Sequence, residues 1–197
     1  MSDKETLSIY DAKARDYAKL TVNGADRPEL ASFIDLVCAG GRVLDLGCGP
    51  GHFAARMAQS GLEVEASDAS AEMIKIASQI DGVSARQETF DALDAVNRYD
   101  GIYANFSLLH AERDTVPTHV TAIARALKTG GIFHIGMKLG TDESRDSMGR
   151  RYSYFSEAEL ERMMTDTGLT VVQRSHGEDV GLSGEMAKWV ILQSKKD

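Results

Sequence analysis

Residues 43–51 read Val43-Leu44-Asp45-Leu46-Gly47-Cys48-Gly49-Pro50-Gly51, and this stretch says more about the 197-residue chain than any other. An apolar run with one acidic residue is followed by glycines at three alternate positions, and a helical pattern begins near His52. Because glycine lacks a Cβ atom, a tight glycine turn between a strand and a helix lets a ligand lie directly against the backbone. The stretch therefore predicts a strand, a ligand-binding turn and a helix in succession.

The charge of Asp45 restricts the kind of ligand that this turn can hold. A carboxylate repels phosphate and attracts ammonium, sulfonium or hydroxyl groups. The glycine spacing points the same way, because a dinucleotide-binding turn has its third glycine at the position that His52 occupies here. The sequence thus favours a cationic ligand and disfavours a nucleotide-dependent oxidoreductase.

Strand patterns and helix patterns alternate along most of the chain. The strands are expected at 42–46, 62–67, 83–86, 99–104, 132–138, 169–175 and 186–193. The helices are expected at 5–20, 28–38, 52–59, 70–80, 117–127 and 156–167. Strands that alternate with helices predict an α/β fold with a mostly parallel sheet covered on both faces, and the two consecutive last strands predict an antiparallel edge hairpin.

Composition excludes several classes of function. With a net charge of −8, the chain lacks the basic surface that a general nucleic-acid binder needs. No apolar run approaches the roughly 18 residues of a membrane span, and the N-terminus does not read as a signal peptide. The two cysteines, Cys38 and Cys48, match no zinc pattern, so we expect reduced thiols in a cytoplasmic protein.

A second acidic residue, Asp68, ends the second predicted strand. In sheets of this kind, ligands bind outside the carboxyl ends of the strands, near the change in strand order. A carboxylate there can accept hydrogen bonds from both hydroxyls of a ribose. Met73 follows on the next helix and could offer an apolar surface to a ligand, although the core face of a helix would use methionine equally well.

Together, residues 43–51, Asp68 and the Leu127-Lys128-Thr129-Gly130-Gly131 turn resemble the motifs of the class I S-adenosylmethionine-dependent methyltransferases. The resemblance covers residues 40–138 and implies a Rossmann-like, doubly wound sheet of seven strands. It implies S-adenosylmethionine as cofactor and S-adenosylhomocysteine as its product, and no metal is predicted. We expect a single methyltransferase domain over 1–197, with 1–40 as a helical cap and 139–155 as a substrate-side insertion.

By this resemblance, the first acid and the glycine turn hold the methionine part of the cofactor, and later strand ends hold its ribose and adenine. The implied cofactor-binding residues are Asp45, Gly47, Cys48, Gly49, Gly51, Asp68, Ala69, Met73, Glu88, Thr89, Phe90 and Asn105. The register of the segment after the third strand is open between Glu88 and Asp91. Glu88 is favoured because it directly follows the short strand.

The acceptor side carries one candidate catalytic residue, His110. Imidazole titrates near pH ~6.5 and can take a proton from an oxygen or nitrogen nucleophile, although a histidine that merely caps the loop is the alternative. Arginines with aromatic neighbours could hold an anionic or planar acceptor, and tyrosines of the first helix could close over the cofactor. A solvated loop and plain packing are the corresponding alternatives. The expected acceptor-side residues are Tyr10, Tyr17, Arg150, Arg151 and Tyr152.

The sequence therefore predicts an enzyme that transfers a methyl group from S-adenosylmethionine to an oxygen, nitrogen or sulfur atom of a small molecule. Residues 108–110 and the region from Lys138 to Arg151 are similar to small bacterial methyltransferases, some of them linked to tellurite resistance. A non-catalytic regulatory module that binds the cofactor is one alternative. A nucleic-acid methyltransferase is another, although residues 105–108 do not match its Asn/Asp-Pro-Pro-Tyr/Phe motif. We expect a monomer or homodimer without nucleic-acid or membrane partners.

Overall fold

The structure, a computed structural model, describes residues 3–21, 27–181 and 183–197. The strands are β1 (Arg42–Leu46), β2 (Glu63–Asp68), β3 (Val83–Gln87), β4 (Tyr99–Asn105), β5 (Leu127–Lys138), β6 (Glu143–Arg145), β7 (Arg151–Ser153), β8 (Leu169–Val180) and β9 (Met186–Lys196). The helices are α1 (Lys4–Thr21), α2 (Pro28–Leu36), α3 (His52–Gln59), α4 (Ala71–Ala77), α5 (Val116–Ala126) and α6 (Glu157–Thr165). Among the described residues, no helix has both the length and the apolar character needed to cross a lipid bilayer.

Seven strands form the main sheet in the order β3-β2-β1-β4-β5-β9-β8. The strands β1 to β5 pair in parallel, whereas β9 is antiparallel to both of its neighbours. This confirms the predicted seven-stranded, doubly wound sheet with its antiparallel C-terminal hairpin. The strand order reverses between β1 and β4, and a crevice for ligands is expected at the carboxyl ends of these two strands.

The two faces of the sheet bury separate apolar clusters. Val43 on β1 belongs to a cluster with Phe33 of α2 and Met57 of α3. Its neighbour Leu44 belongs to the other cluster, which includes Ile123 of α5. Successive side chains of a strand point to opposite faces, so the apolar run in β1 serves both cores. The run that precedes the glycine turn therefore lies at the centre of the molecule.

The structure differs from the predicted elements in the last third of the chain. β5 begins at Leu127, earlier than predicted, because Leu127 pairs with Tyr99 and a register shift follows in the ladder. The final hairpin is also longer, and extends to Val180 in β8 and Lys196 in β9. Residues 139–155, for which no strand is predicted, contain the short antiparallel pair of β6 and β7.

Candidate active site

The glycine turn connects β1 to α3 at the carboxyl edge of the sheet. Gly47, Gly49 and Gly51 have φ angles of +75°, +54° and +86°, in the left-handed region that residues with a Cβ atom rarely adopt. The N–H groups of Gly47 and Cys48 both donate to the carbonyl oxygen of Ser67, at 2.8 and 2.9 Å. The turn is thus anchored across the end of β2, and the glycine pattern has a conformational cause.

We expect Gly47→Ala to destabilise the fold more than Gly61→Ala. A Cβ atom at either glycine is strained by a positive φ, but at Gly61 it meets nothing within 4 Å, whereas at Gly47 it lies 2.3 Å from Cβ of Ser107. The strain common to both amounts to about 1–2 kcal/mol, and the collision at Gly47 adds roughly 1–3 kcal/mol. Urea unfolding of the two variants without ligand measures the difference. Equal unfolding free energies would contradict the close approach.

Asp68 stabilises the same turn with its carboxylate. Oδ2 accepts the N–H of Gly49 at 2.9 Å, and Oδ1 accepts the N–H of Ser70 at 2.8 Å. Burial raises the pKa of Asp68, and these backbone hydrogen bonds oppose that rise. The carboxylate therefore shapes the turn while its side chain also lines the adjoining cleft.

Asp45 is the most unusual charged group of the site. Its side chain is 2% exposed, and within the described part of the chain its Oδ2 atom has no hydrogen-bond donor. Burial, reinforced by the nearby charge of Asp68, raises the pKa of Asp45 to about 8. A buried carboxylate oxygen normally has a partner, because leaving it without one is unfavourable. Since Asp45 lines the cleft, a ligand with an ammonium or N–H group could supply the missing donor.

The cleft lies between α1, the glycine turn and the ends of β2 and β4, and has about 930 Å³ of empty volume including the part open to solvent. Twelve of the predicted site residues line it: Tyr10, Tyr17, Asp45, Gly47, Cys48, Gly49, Asp68, Ala69, Met73, Phe90, Asn105 and His110. Eight further lining residues were not predicted as site residues: Asp3, Thr6, Leu7, Pro50, His52, Phe53, Phe106 and Ser107.

Three of the predicted cofactor residues lie outside the lining. Gly51 is buried against the end of α4, where an added Cβ would lie 3.1 Å from Cβ of Ala77 and 2.7 Å from Cδ1 of Ile80, so this glycine serves packing against α4. Glu88 accepts a hydrogen bond from Nε of Arg86 at 2.8 Å. Thr89 precedes a short 3₁₀ turn whose first residue, Phe90, does line the cleft.

A chain of polar contacts joins Tyr10, His110 and Arg151 and forms one wall of the cleft. The hydroxyl group of Tyr10 lies 2.8 Å from Nε2 of His110, and Nδ1 of His110 lies 2.6 Å from the carbonyl oxygen of Arg151. A carbonyl oxygen can only accept, so Nδ1 carries the proton, and Nε2 of the neutral ring accepts from Tyr10. Burial lowers the pKa of His110 to about 4, which keeps the ring neutral near pH ~7.

Arg150 lies behind this wall and not in the cleft. Its side chain is 2% exposed, and it donates to Oδ2 of Asp146 from Nε at 2.9 Å and from Nη2 at 2.6 Å. Nη1 donates to the hydroxyl oxygen of Tyr10 at 3.1 Å. Burial alone would raise the pKa of Asp146, but the hydrogen bonds from Arg150 hold it below its usual value. The guanidinium is thus neutralised by Asp146 and positions Tyr10.

The two neighbours of Arg150 also lie outside the lining. The guanidinium of Arg151 lies 3.6 Å from Glu112 and 3.8 Å from Glu143. The ring of Tyr152 is buried under the Lys138 ammonium, which lies 3.9 Å from the ring centroid. These residues shape the region behind His110.

Helix α1 spans both halves of the site. Near its start, Oγ1 of Thr6 accepts the N–H of Arg151 at 2.9 Å. Further along, Asp11 accepts from Oγ of Ser70 at 2.5 Å, next to the end of β2. Tyr10 follows Thr6 by four positions and Leu7 by three, and Tyr17 lies two turns further on, so the helical period could have identified Thr6 and Leu7 together with the two tyrosines. For Phe106, which has a φ of +53°, no such signal exists in the sequence.

Comparison with known proteins identifies the family of this fold and site. A family model described as "Methyltransferase domain" matches residues 24–174, more than half of the chain. The chain belongs to this methyltransferase family. The predicted resemblance to the class I S-adenosylmethionine-dependent methyltransferases is thereby confirmed. No curated protein sequence matches this methyltransferase.

Solved structures of methyltransferases share the fold. The 1,6-didemethyltoxoflavin-N1-methyltransferase of Burkholderia thailandensis has a TM-score of 0.79 at 23% identity, over 98% of this chain and 88% of that one. TehB from Haemophilus influenzae has a TM-score of 0.74 at 18% identity, over 87% of this chain and 62% of that one. A TehB-like S-adenosylmethionine-dependent methyltransferase from Corynebacterium glutamicum has a TM-score of 0.71 at 19% identity, over 94% and 99%. At these identities the similarity establishes the fold alone.

Proposed function

We propose that this methyltransferase uses S-adenosylmethionine to methylate an oxygen, nitrogen or sulfur atom of a small molecule. The observation that carries the proposal is the buried carboxylate of Asp45, whose Oδ2 atom has no hydrogen-bond donor within the described residues. An amino-acid ammonium supplies the charge and the N–H groups that this oxygen lacks. A nucleotide phosphate would instead be repelled.

The other residues of the cleft suit the rest of the cofactor. Asp68 retains lone pairs for two ribose hydroxyls while it holds the turn, and the apolar side chains of Met73 and Phe90 offer surfaces for an adenine ring. The backbone of Gly47 to Gly49 allows close approach of the methionine part. Bound here, S-adenosylmethionine would supply a methyl group on a positively charged sulfur. The protein's own task is to orient the acceptor and exclude water.

We further propose a single domain over 1–197 in which 1–40 cap the cleft and 139–155 form the acceptor side. The contacts of α1 with both halves of the site support this division. A small-molecule acceptor is supported by the limited size of the cleft, about 930 Å³, and by the B. thailandensis enzyme, whose structure contains 1,6-didemethyltoxoflavin and S-adenosylhomocysteine. Two observations argue against a nucleic-acid substrate. The chain has a net charge of −8, and the described residues that line the cleft include three aspartates and no lysine or arginine.

Isothermal titration calorimetry with S-adenosylhomocysteine and with NAD tests the cofactor. We expect one S-adenosylhomocysteine bound per chain and no binding of NAD, because a pyrophosphate would face Asp45 and Asp68. Methyl transfer from radiolabelled S-adenosylmethionine to a panel of small molecules then separates an enzyme from a regulatory module. Binding of NAD alone would overturn the cofactor assignment, and cofactor binding without transfer to any acceptor class would favour the regulatory module.

A further inference from the structure

The charges in the cleft limit the acceptors that it can hold. The described lining residues include Asp3, Asp45 and Asp68 but no lysine or arginine. Asp3 is already paired, because both of its carboxylate oxygens accept from Arg145 at 2.9 Å. Burial raises the pKa of both Asp45 and Asp68, and among the described residues no cationic side chain pairs with either. An acceptor with a carboxylate or oxyanion would therefore have no cationic side chain to pair with, and the charge on the cofactor's sulfur is lost during the transfer, which makes its burial unfavourable.

Three cations behind Tyr10 and His110 do not change this balance. Arg150 is neutralised by Asp146, and Arg151 lies beside two glutamates. Lys138 lies over the ring of Tyr152, and burial together with the charge of Arg150 lowers the pKa of its ammonium. All three lie outside the described lining of the cleft. They hold the wall in place and leave its surface without positive charge.

That wall presents a hydroxyl and an imidazole to the cleft. Tyr10 and His110 both line it, and they are joined by the 2.8 Å hydrogen bond in which the hydroxyl donates to Nε2. The hydroxyl oxygen also accepts from Arg150. Nδ1 of His110 is held by a backbone carbonyl, so Nε2 is the nitrogen free to take a proton. The basic nitrogen of His110, the candidate base of the sequence analysis, is thus occupied by the hydroxyl of Tyr10.

We propose that the acceptor is an uncharged molecule whose reacting nitrogen or oxygen carries a proton, and that Tyr10 passes this proton to His110. This inference rests on the proposed methyl transfer. The acceptor atom's lone pair forms the bond to the methyl carbon, and the carbon–sulfur bond breaks with its electron pair remaining on sulfur. The acceptor's proton moves to the oxygen of Tyr10 as the tyrosine's own proton moves to Nε2 of His110. The positive charge lost at sulfur thus reappears on the imidazolium, and the charge of the site is conserved.

The surroundings of Tyr10 and His110 suit this transfer. Arg150 faces the tyrosine oxygen and stabilises the negative charge that develops there during the exchange. Because the neutral imidazole predominates near pH ~7, Nε2 is ready to accept without a prior deprotonation. The same weak basicity lets His110 return the proton to solvent after each turnover. Arg150 acts here as a positioning residue.

Nuclear magnetic resonance of protein labelled with ¹⁵N at histidine tests the hydrogen bond without any acceptor. With S-adenosylhomocysteine present, we expect His110 as the Nδ1–H tautomer, with Nε2 shifted by the bond from Tyr10. The signals of His110 are identified as those that disappear from the spectrum of His110→Ala. Tyr10→Phe, which keeps the ring, should move the Nε2 resonance and leave the tautomer unchanged. A proton on Nε2 in the wild type, or an Nε2 resonance that Tyr10→Phe leaves in place, would overturn the transfer route.

Methyl transfer tests the acceptor class with matched pairs, catechol against 3,4-dihydroxybenzoate and benzimidazole against its 5-carboxylate, together with tellurite. We expect the uncharged member of each pair to react at least about tenfold faster, and no methylation of tellurite. Preference for the charged members or for tellurite would overturn the inference. If S-adenosylhomocysteine itself did not bind in calorimetry, the proposed function would fail first, so the two failures are distinguishable.

Kinetics of variants with the best acceptor test the roles of the two residues. Tyr10→Phe should lower kcat about 100- to 1,000-fold and leave the Kd of S-adenosylhomocysteine within about twofold. His110→Ala should give a similar loss, and the double variant no further loss, because both act in one transfer. Tyr154→Phe, whose hydroxyl contacts Ser144 outside the cleft, is the matched control with full turnover. Full turnover by Tyr10→Phe, or additive losses in the double variant, would overturn the joint role.

Discussion

Asp45→Asn should weaken the binding of S-adenosylhomocysteine about 10- to 100-fold, equivalent to about 1.5–3 kcal/mol for a hydrogen bond to a charged group. The amide keeps the shape of the carboxylate but loses the charge that the ligand's ammonium would meet. Without ligand, we expect the variant to be at least as stable as the wild type. The reason is that the fold buries this carboxylate with one oxygen lacking a donor among the described residues.

The pH dependence of binding should change in the same variant. The pKa of Asp45 in the fold, about 8, lies above its ordinary 3.8, so the fold favours the protonated form. Its contribution to the free energy of unfolding is therefore present at low pH and is lost as the pH rises towards about 8. A bound ammonium reverses this preference and releases a proton. Affinity for S-adenosylhomocysteine should rise between about pH 6 and about pH 8 in the wild type, and not in Asp45→Asn.

Calorimetry in buffers of different ionisation enthalpy measures both the affinity and the released proton. Asp94→Asn is the matched control, because Asp94 is exposed in the segment before β4 and does not line the cleft. Unchanged affinity in Asp45→Asn, or an equal loss in Asp94→Asn, would contradict the role of Asp45.

Arg150→Met should lower the free energy of unfolding by about 3–5 kcal/mol, the usual effect of removing one member of a buried ion pair. Methionine keeps much of the apolar stem, but Asp146 would remain buried with only backbone N–H donors. The double variant Arg150→Met with Asp146→Asn should recover part of the loss, because the uncompensated charge is then gone. Urea unfolding measures all three proteins.

An exposed ion pair provides the control for this variant. Arg174 lies 2.5 Å from Glu161 with a side chain 46% exposed, and Arg174→Met should change stability by less than about 1 kcal/mol. Similar losses of unfolding free energy in Arg150→Met and Arg174→Met would contradict the stabilising role of the buried ion pair between Arg150 and Asp146. A double variant less stable than Arg150→Met would do the same.

Local patterns predicted β1 and α3 with their correct ends. In β1, Val43, Leu44 and Leu46 place apolar side chains on both faces, as expected of a strand covered on both sides, and the glycines that follow adopt positive φ angles. Alternation of strands with helices then implied the sheet and its ligand-binding edge. These features depend on neighbours in the chain, so they can be read from a single sequence.

Residues 139–155 show where this reading ends. Arginines beside aromatic residues suggested a surface for an anionic acceptor, yet Arg150 is buried and its charge is met by Asp146, four residues earlier. Its second partner, Tyr10, lies 140 residues away along the chain. Whether an arginine binds a ligand or stabilises a wall depends on which distant groups reach it, and spacing carries no information about that.

For this methyltransferase, the order of residues was enough to identify a glycine turn next to an acid, to predict the doubly wound sheet and to suggest the cofactor by resemblance. These follow from backbone freedom and from charge within a few neighbouring residues. Three features arose only in the tertiary structure. They are the Oδ2 atom of Asp45, which has no donor among the described residues, the absence of lysine and arginine from the described cleft lining, and the hydrogen bond from the Tyr10 hydroxyl to His110. Burial and the pairing of charges depend on contacts between remote segments, and those contacts form only when the chain has folded.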